Sequence, residues 1–236
     1  GYLSRGGKLL ITTDSYNRTP NLDALLAEYG MTRQEGLVIE NDSNYYLYGT
    51  AQTCLLPNLS SNEITAGVTD GMHVFTPVAQ GIVKGDSTDD LTLTTLLSTS
   101  STAYAMQDYA EATTAEQGAN DPNGPFNIAV AASNSTTGAK VVWVNCANLL
   151  NSKGIEYVAR EYASLLIGGN AQLLTSTMNW MIGEENGVVI DSKSMSAETL
   201  TVPAKATMLL GLLFTIVVPL AFIVAGIAIT LVRRRR

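Results

Sequence analysis

At 236 residues, with 46% hydrophobic and 15% charged residues and 20 Gly beside 7 Pro, the chain does not have the composition of a disordered or low-complexity polymer. One His and two Cys exclude a His- and Cys-built zinc centre of the usual four-ligand kind and leave little material for imidazole catalysis. With the four terminal Arg set aside, 10 basic residues face 21 acidic ones, a net charge of −11 that opposes binding to nucleic acid or anionic lipid.

The chain opens on Gly1-Tyr2-Leu3-Ser4-Arg5-Gly6-Gly7 with no initiator Met, charged n-region or apolar h-region. It reads as part of a longer protein whose upstream part holds a further membrane segment or signal. Lys8 to Thr13 is a short apolar run behind a Gly-Gly break and is expected to be a buried strand with Asp14 at its carboxyl end. Pro20 and Asn21 start a helix, with Leu22, Leu25, Leu26 and Tyr29 on one face and Gly30 as its stop. Gly36 to Glu40 is another short strand, so strand, helix and strand with tight connections argue parallel pairing in an α/β layer.

From Asn41 to Thr102 helical periodicity fades, and Val74 to Val78 and Leu91 to Leu97 read as strands. Glu111 to Pro125 is polar and rich in turn formers, an exposed loop. Phe126 to Ala132 and Lys140 to Val144 are two more strands, separated by an Asn-Ser-Thr-Thr-Gly turn. Two helical patterns follow, marked by Val158, Tyr162, Leu165 and Leu166 and then by Leu173, Thr177, Trp180 and Met181, before a last short strand at Gly187 to Ile190. A polar stretch over 191–205 leads to an uncharged run of 27 residues, Ala206 to Val232, followed at once by Arg233, Arg234, Arg235 and Arg236. Sixteen Leu, Ile, Val or Phe in that run are worth about 5–10 kcal/mol of insertion, which predicts a transmembrane helix kinked at Pro219. The arginines then predict a cytoplasmic C-terminus and an external domain.

The residues that carry candidate chemistry are few. Cys146 lies just past the Val141 to Val144 strand, where a nucleophile with His73 as base and Asp14 as orienter is conceivable. The flanking Asn145 and Ala147 lack the glycines of a nucleophile elbow, and a buried Cys is a common small hydrophobe. Spacing leaves a Cys54–Cys146 disulfide open. Asp14, Asp42 and Asp70 stand near strand ends or Gly, where ligands bind but where carboxylates more often cap backbone amides. Without an Asp-x-Asp-x-Asp-Gly loop or a Walker motif, neither calcium binding nor ATP hydrolysis is indicated. Sequons stand at Asn17, Asn41, Asn58 and Asn134, and Tyr45-Tyr46-Leu47-Tyr48 is either a contact surface or an ordinary strand.

Three segments carry a family resemblance: Tyr2 to Ile11 with Asp14, Asn21 to Gly30, and Asn170 with Met178-Asn179-Trp180-Met181-Ile182-Gly183-Glu184. Together with the Pro219-containing apolar run and the terminal arginines, they resemble the GldG-type auxiliary component of bacterial ABC transporters, over the C-terminal part of that family's domain. The chain departs from the family at Asn145-Cys146-Ala147-Asn148, where a Gly-Asp-Ser-like turn is common.

The resemblance implies a Rossmann-like, class I amidotransferase-like α/β sheet domain with flanking helices over 1–190 and a linker over 191–205. A membrane helix over 206–232 and a cytoplasmic tail over 233–236 complete the expected layout. It implies no catalytic residues and no cofactor, and as partners an ABC permease with its separate ATPase and the lipid bilayer. Asp14, Asn145 and Cys146 are the candidate ligand or partner contacts. The alternatives are a tethered amidotransferase-like or hydrolytic enzyme using Cys146 and His73, and a surface domain that binds carbohydrate or peptide.

Overall fold

The computed structural model describes residues 1–47, 51–68, 72–149 and 160–183, with 213–220, 222, 226 and 233–234 toward the C-terminus. Residues Gly1–Ser194 form one compact unit and Met195–Arg236 another.

In the first unit the elements run β1 (Lys8–Thr12), α1 (Pro20–Glu28), β2 (Met31–Arg33), β3 (Leu37–Ile39), β4 (Cys54–Leu55), β5 (Asn58–Leu59), β6 (Thr76–Pro77), β7 (Ile82–Lys84), β8 (Leu91–Ser98), β9 (Tyr104–Met106), β10 (Asn127–Asn134), β11 (Lys140–Val144) and α2 (Arg160–Ile182). Seven strands make one sheet, ordered β1-β11-β10-β7-β2, with β8 also on β10 and β5 on β8. Among the described residues only β1 and β11 run parallel, in register from Lys8 beside Lys140 to Thr12 beside Val144; the other pairs are antiparallel. Bulges on β10 between Asn127 and Val130 curl the sheet where it hands over from β8 to β7. Two small ribbons, β3 with β9 and β4 with β6, stand apart from it.

The central strands read as unbroken apolar runs because both their faces are buried. On one face Leu10, Ile128, Ala131, Val142 and Val144 pack with Leu173 and Met181 of α2. On the other, Leu9, Ile11, Val130, Val141 and Trp143 pack with Leu22 and Leu26 of α1. Helix α1 starts with Pro in its first turn and ends before Gly30, whose φ of 72° is left-handed and suits Gly. Helix α2 is held by two adjacent residues. Gly169 lies so close to the chain at His73 that a Cβ there would sit 2.1 Å from the His73 carbonyl oxygen. Asn170 accepts from the Phe75 N–H at 2.7 Å and donates to the Phe75 carbonyl at 3.0 Å, as a neighbouring strand would.

The expected Rossmann-like architecture is therefore corrected: the sheet is mixed, mostly antiparallel, and accompanied by two α-helices among the described residues. The error lies in the crossover. Gly30 turns the chain straight from α1 into β2, which pairs antiparallel with β7. Leu37–Ile39, the expected parallel partner of β1, pairs with β9 outside the main sheet. A fully buried three-residue strand carries no mark of which neighbour it will join. Two expected helices are one continuous α2, and β2, β4, β5, β7 and β9 are strands too short for periodicity to reveal. Val158 and Gly187 to Ile190 lie outside the described residues.

The expected membrane helix is corrected as well, since among the described residues no helix is long and apolar enough to cross a membrane. Most of 206–232, including Ala206 and Val232, and the terminal Arg235 and Arg236 lie outside the described residues. Of that run, Leu213–Val217 is a π-helical stretch just before Pro219. Proline lacks an N–H and its ring displaces the carbonyl four residues back, here Thr215, which interrupts regular α-helical bonding.

Gly169→Ala is expected to lower unfolding stability by about 1–3 kcal/mol through overpacking against the His73 backbone, read as a lower urea midpoint. Trp143→Ala, at a position 0% exposed, is expected to cost about 3–5 kcal/mol in the same measurement.

Candidate functional site

The carboxyl ends of β1 and β11, the parallel pair, meet at Thr13, Asp14, Asn145 and Cys146, the place where α/β sheets most often bind ligands. The side chains there form a buried polar cluster. Asn145, 1% exposed, accepts from the Thr13 hydroxyl at 2.6 Å and from Arg33 Nη1 at 3.1 Å, and donates to the Gly81 carbonyl at 3.0 Å. Trp143 donates through Nε1 to the Thr13 oxygen at 2.8 Å. Arg33 joins every part of the cluster. Its Nη1 also donates to Gln80 Oε1 at 2.8 Å and to the Asp14 carbonyl at 3.4 Å, and its Nη2 donates to Thr19 at 3.3 Å and Asp23 at 3.0 Å. The guanidinium lies 5.7 Å from the centre of the Trp143 ring. Its side chain is 8% exposed, so the pair with Asp23 supplies the countercharge that a buried cation requires.

Asp14 stands at the rim. Its carboxylate accepts from the Tyr16 N–H at 2.7 Å and from Asn17 at 3.2 Å, capping the loop that leaves β1. Asn145 is committed to the protein interior, so of the candidate contacts only Asp14 borders open space. Cys146 is 1% exposed and donates to the Pro77 carbonyl at 3.2 Å, with no hydrogen bond to His73. Burial pushes its thiol up to about 12, with Asp14 adding to the rise and the amides of Asn148 and Leu149 opposing it. A neutral buried thiol is a packing group, not a nucleophile. His73 is exposed, and nothing links it to Asp14. No disulfide joins Cys54 to Cys146, and each lies in a different apolar cluster. Val78 adopts φ 58°, a strained conformation for a β-branched residue, in the turn between the Pro77 carbonyl facing Cys146 and Gln80 facing Arg33.

Elsewhere, Asp42 caps the Asn44 N–H, as turn carboxylates do, and Asp70 and Tyr48 lie outside the described residues. Asn17, Asn41 and Asn58 are exposed, whereas Asn134 accepts from Thr137 within the β10–β11 turn. Among the described residues no group of three or more His, Cys, Asp or Glu is placed to hold a metal ion.

Beside the cluster, between the loop after β1 and the segment after β9, lies a cleft of about 560 Å³. Tyr16, Arg18, Glu35, Gln80, Asp108 and Tyr109 line it. Arg18 and Glu35 pair across it at 2.8 Å, and Tyr109 donates to the Ser15 carbonyl. Burial raises the Tyr109 hydroxyl above its usual range, helped by Tyr16, Glu35 and Asp14 and opposed by Arg18. Sequence reasoning missed Arg33, Gln80 and Tyr109. Arg33 and Asn145 are 112 positions apart, and no short-range pattern joins residues at that separation.

Removing the shared donor in Arg33→Ala leaves Asn145, Gln80 and Asp23 short of partners, with an expected loss of about 2–4 kcal/mol in urea unfolding. The Cys146 thiol is expected to stay unreactive to a thiol-specific disulfide reagent across pH 7–9 in the folded chain and to react at once in denaturant. Because its folded value lies above the ordinary 9.0, the stability it contributes is complete below pH 9 and is lost as pH rises toward about 12. Urea midpoints of wild type and Cys146→Ala taken over that range check the sign.

No family model matches the chain, and no curated protein matches it. Among solved structures it is similar to one described as the mmIFT52 N-terminal domain, at 15% identity and a TM-score of 0.50, covering 80% of this chain and 69% of that one. At 15% identity that likeness speaks to the fold alone.

Proposed function

We propose that the folded unit is a non-catalytic binding domain that serves an ABC transport system as an auxiliary subunit, acting by contact with the permease or the transported substrate. The observation that supports a binding role most directly is the state of Cys146. The residue best positioned for nucleophilic chemistry is buried, its thiol is pushed up to about 12, and it is bonded to a backbone carbonyl. What this end of the sheet offers a ligand or partner is the cleft lined by Tyr16, Gln80, Asp108 and Tyr109, a recognition device that needs no bond-making group. The choice of partner rests on the segments Tyr2 to Ile11, Asn21 to Gly30 and Met178 to Glu184, which resemble the GldG-type component. On this proposal the folded unit lies on the outer face of the cell.

Affinity capture of the tagged, detergent-solubilised parent protein is expected to recover a permease and an ATPase; recovery of neither overturns the proposal. A membrane-impermeant amine label applied to intact cells is expected to modify partly exposed lysines such as Lys84, and a protected domain overturns the external placement.

A further inference from the structure

The cleft beside Arg33 is left with hydrogen-bonding groups that the protein does not use. Gln80 is 3% exposed; its amide oxygen accepts from Arg33, and its NH2 has no partner. The neighbouring Ser15 hydroxyl is buried and also without a partner. At the opposite side the Asp108 carboxylate, exposed at the rim, takes part in no hydrogen bond or ion pair. A buried polar group without a partner, such as the Ser15 hydroxyl, is uncommon in folded proteins, and a concave site that sets it beside the open hydrogen-bonding groups of Gln80 and Asp108 is suited to a polar ligand.

Charge narrows the ligand class. Both cations that reach the cleft are neutralised within the protein, Arg18 by Glu35 at 2.8 Å and Arg33 by Asp23 at 3.0 Å. A phosphate or carboxylate entering here meets no uncompensated positive charge and would face Asp108, which disfavours an anion. The remaining groups mix donors with acceptors: the Gln80 NH2 donates, the Asp108 carboxylate accepts, and the Ser15 hydroxyl does either. A ligand that carries several hydroxyl groups has both the donors and the acceptors that these three require. The mouth adds an apolar surface, because Tyr16 is 67% exposed and meets Tyr109 edge-on, with ring centres 5.8 Å apart and planes at 67°. In that arrangement a broad part of the Tyr16 ring stays open to solvent.

We infer that this cleft is a binding site for a neutral saccharide, with sugar hydroxyls on Gln80 and Asp108 and a C–H face of the ring on Tyr16. The inference stands apart from the transporter proposal, since a saccharide site serves a binding domain whatever its protein partner. It also assigns no role to Cys146 or His73.

Calorimetric titration of the full chain with maltose, cellobiose and chitobiose tests it, with glycylglycine and inorganic phosphate as charged controls. At least one disaccharide is expected to bind with a Kd of about 1 mM, and the two controls not to bind. Tyr16→Ala and Asp108→Asn, both at exposed positions, are each expected to weaken that binding about tenfold with an unchanged melting temperature. Met178→Ala, 55% exposed and not among the cleft residues, is expected to leave it unchanged. The inference is overturned if none of the three disaccharides binds, if glycylglycine or phosphate binds in preference, or if both cleft variants bind as the wild type does. The capture experiment above is indifferent to all of these outcomes, so the two proposals fail separately.

Discussion

The buried guanidinium of Arg33 is the interaction on which the rest of the arrangement depends. It sits at the end of a three-residue edge strand, yet it reaches Asn145 after β11, the Asp14 carbonyl after β1, Gln80 ahead of β7 and Asp23 in the first turn of α1. A cation taken out of water tolerates few geometries, because each unmet donor carries a desolvation penalty and the charge must be balanced nearby. The four segments it joins are thereby held in one relation. The loop after β1 and the cleft beside it inherit their shape from that relation.

The same logic explains why Asn145 and Cys146, at the carboxyl end of β11, are enclosed within the protein. Asn145 has its oxygen and one amide hydrogen committed to protein partners, and Cys146 is enclosed in the apolar layer beneath α2. Two adjacent residues thus divide the strand end between a polar network and the core. Open polar capacity appears one shell outward, at Gln80 and Asp108, where the network stops and the cleft begins.

The sheet builds this arrangement from strands of very unequal character. β1, β8, β10 and β11 are long enough for their apolar runs to stand out, and their positions were legible, as were α1 with its Gly30 stop and the Asn134 to Gly138 turn. Pairing was not legible. The step from β1 through α1 to Leu37 reads as a strand-helix-strand unit with parallel pairing, but the chain instead inserts β2 and sends Leu37–Ile39 to β9. Strands of two or three residues have too few alternations to show a period, so β2, β4, β5, β7 and β9 are set by the surfaces they fall against. At the site, Asp14 was visible from its place after an apolar run, whereas Arg33 and Gln80 stand in segments with no distinguishing pattern.

What the amino-acid order determined by itself is local: where apolar stretches long enough for a central strand occur, where Pro20 opens and Gly30 closes a helix, and how few residues are available for metal or imidazole chemistry. Tertiary structure alone decided which strands pair, which faces α1 and α2 cover, and that an arginine and an asparagine 112 positions apart share one buried network. The physical reason is range. Propensity, capping and periodicity act over a few residues, whereas desolvation and charge balance act on whatever the folded chain brings together.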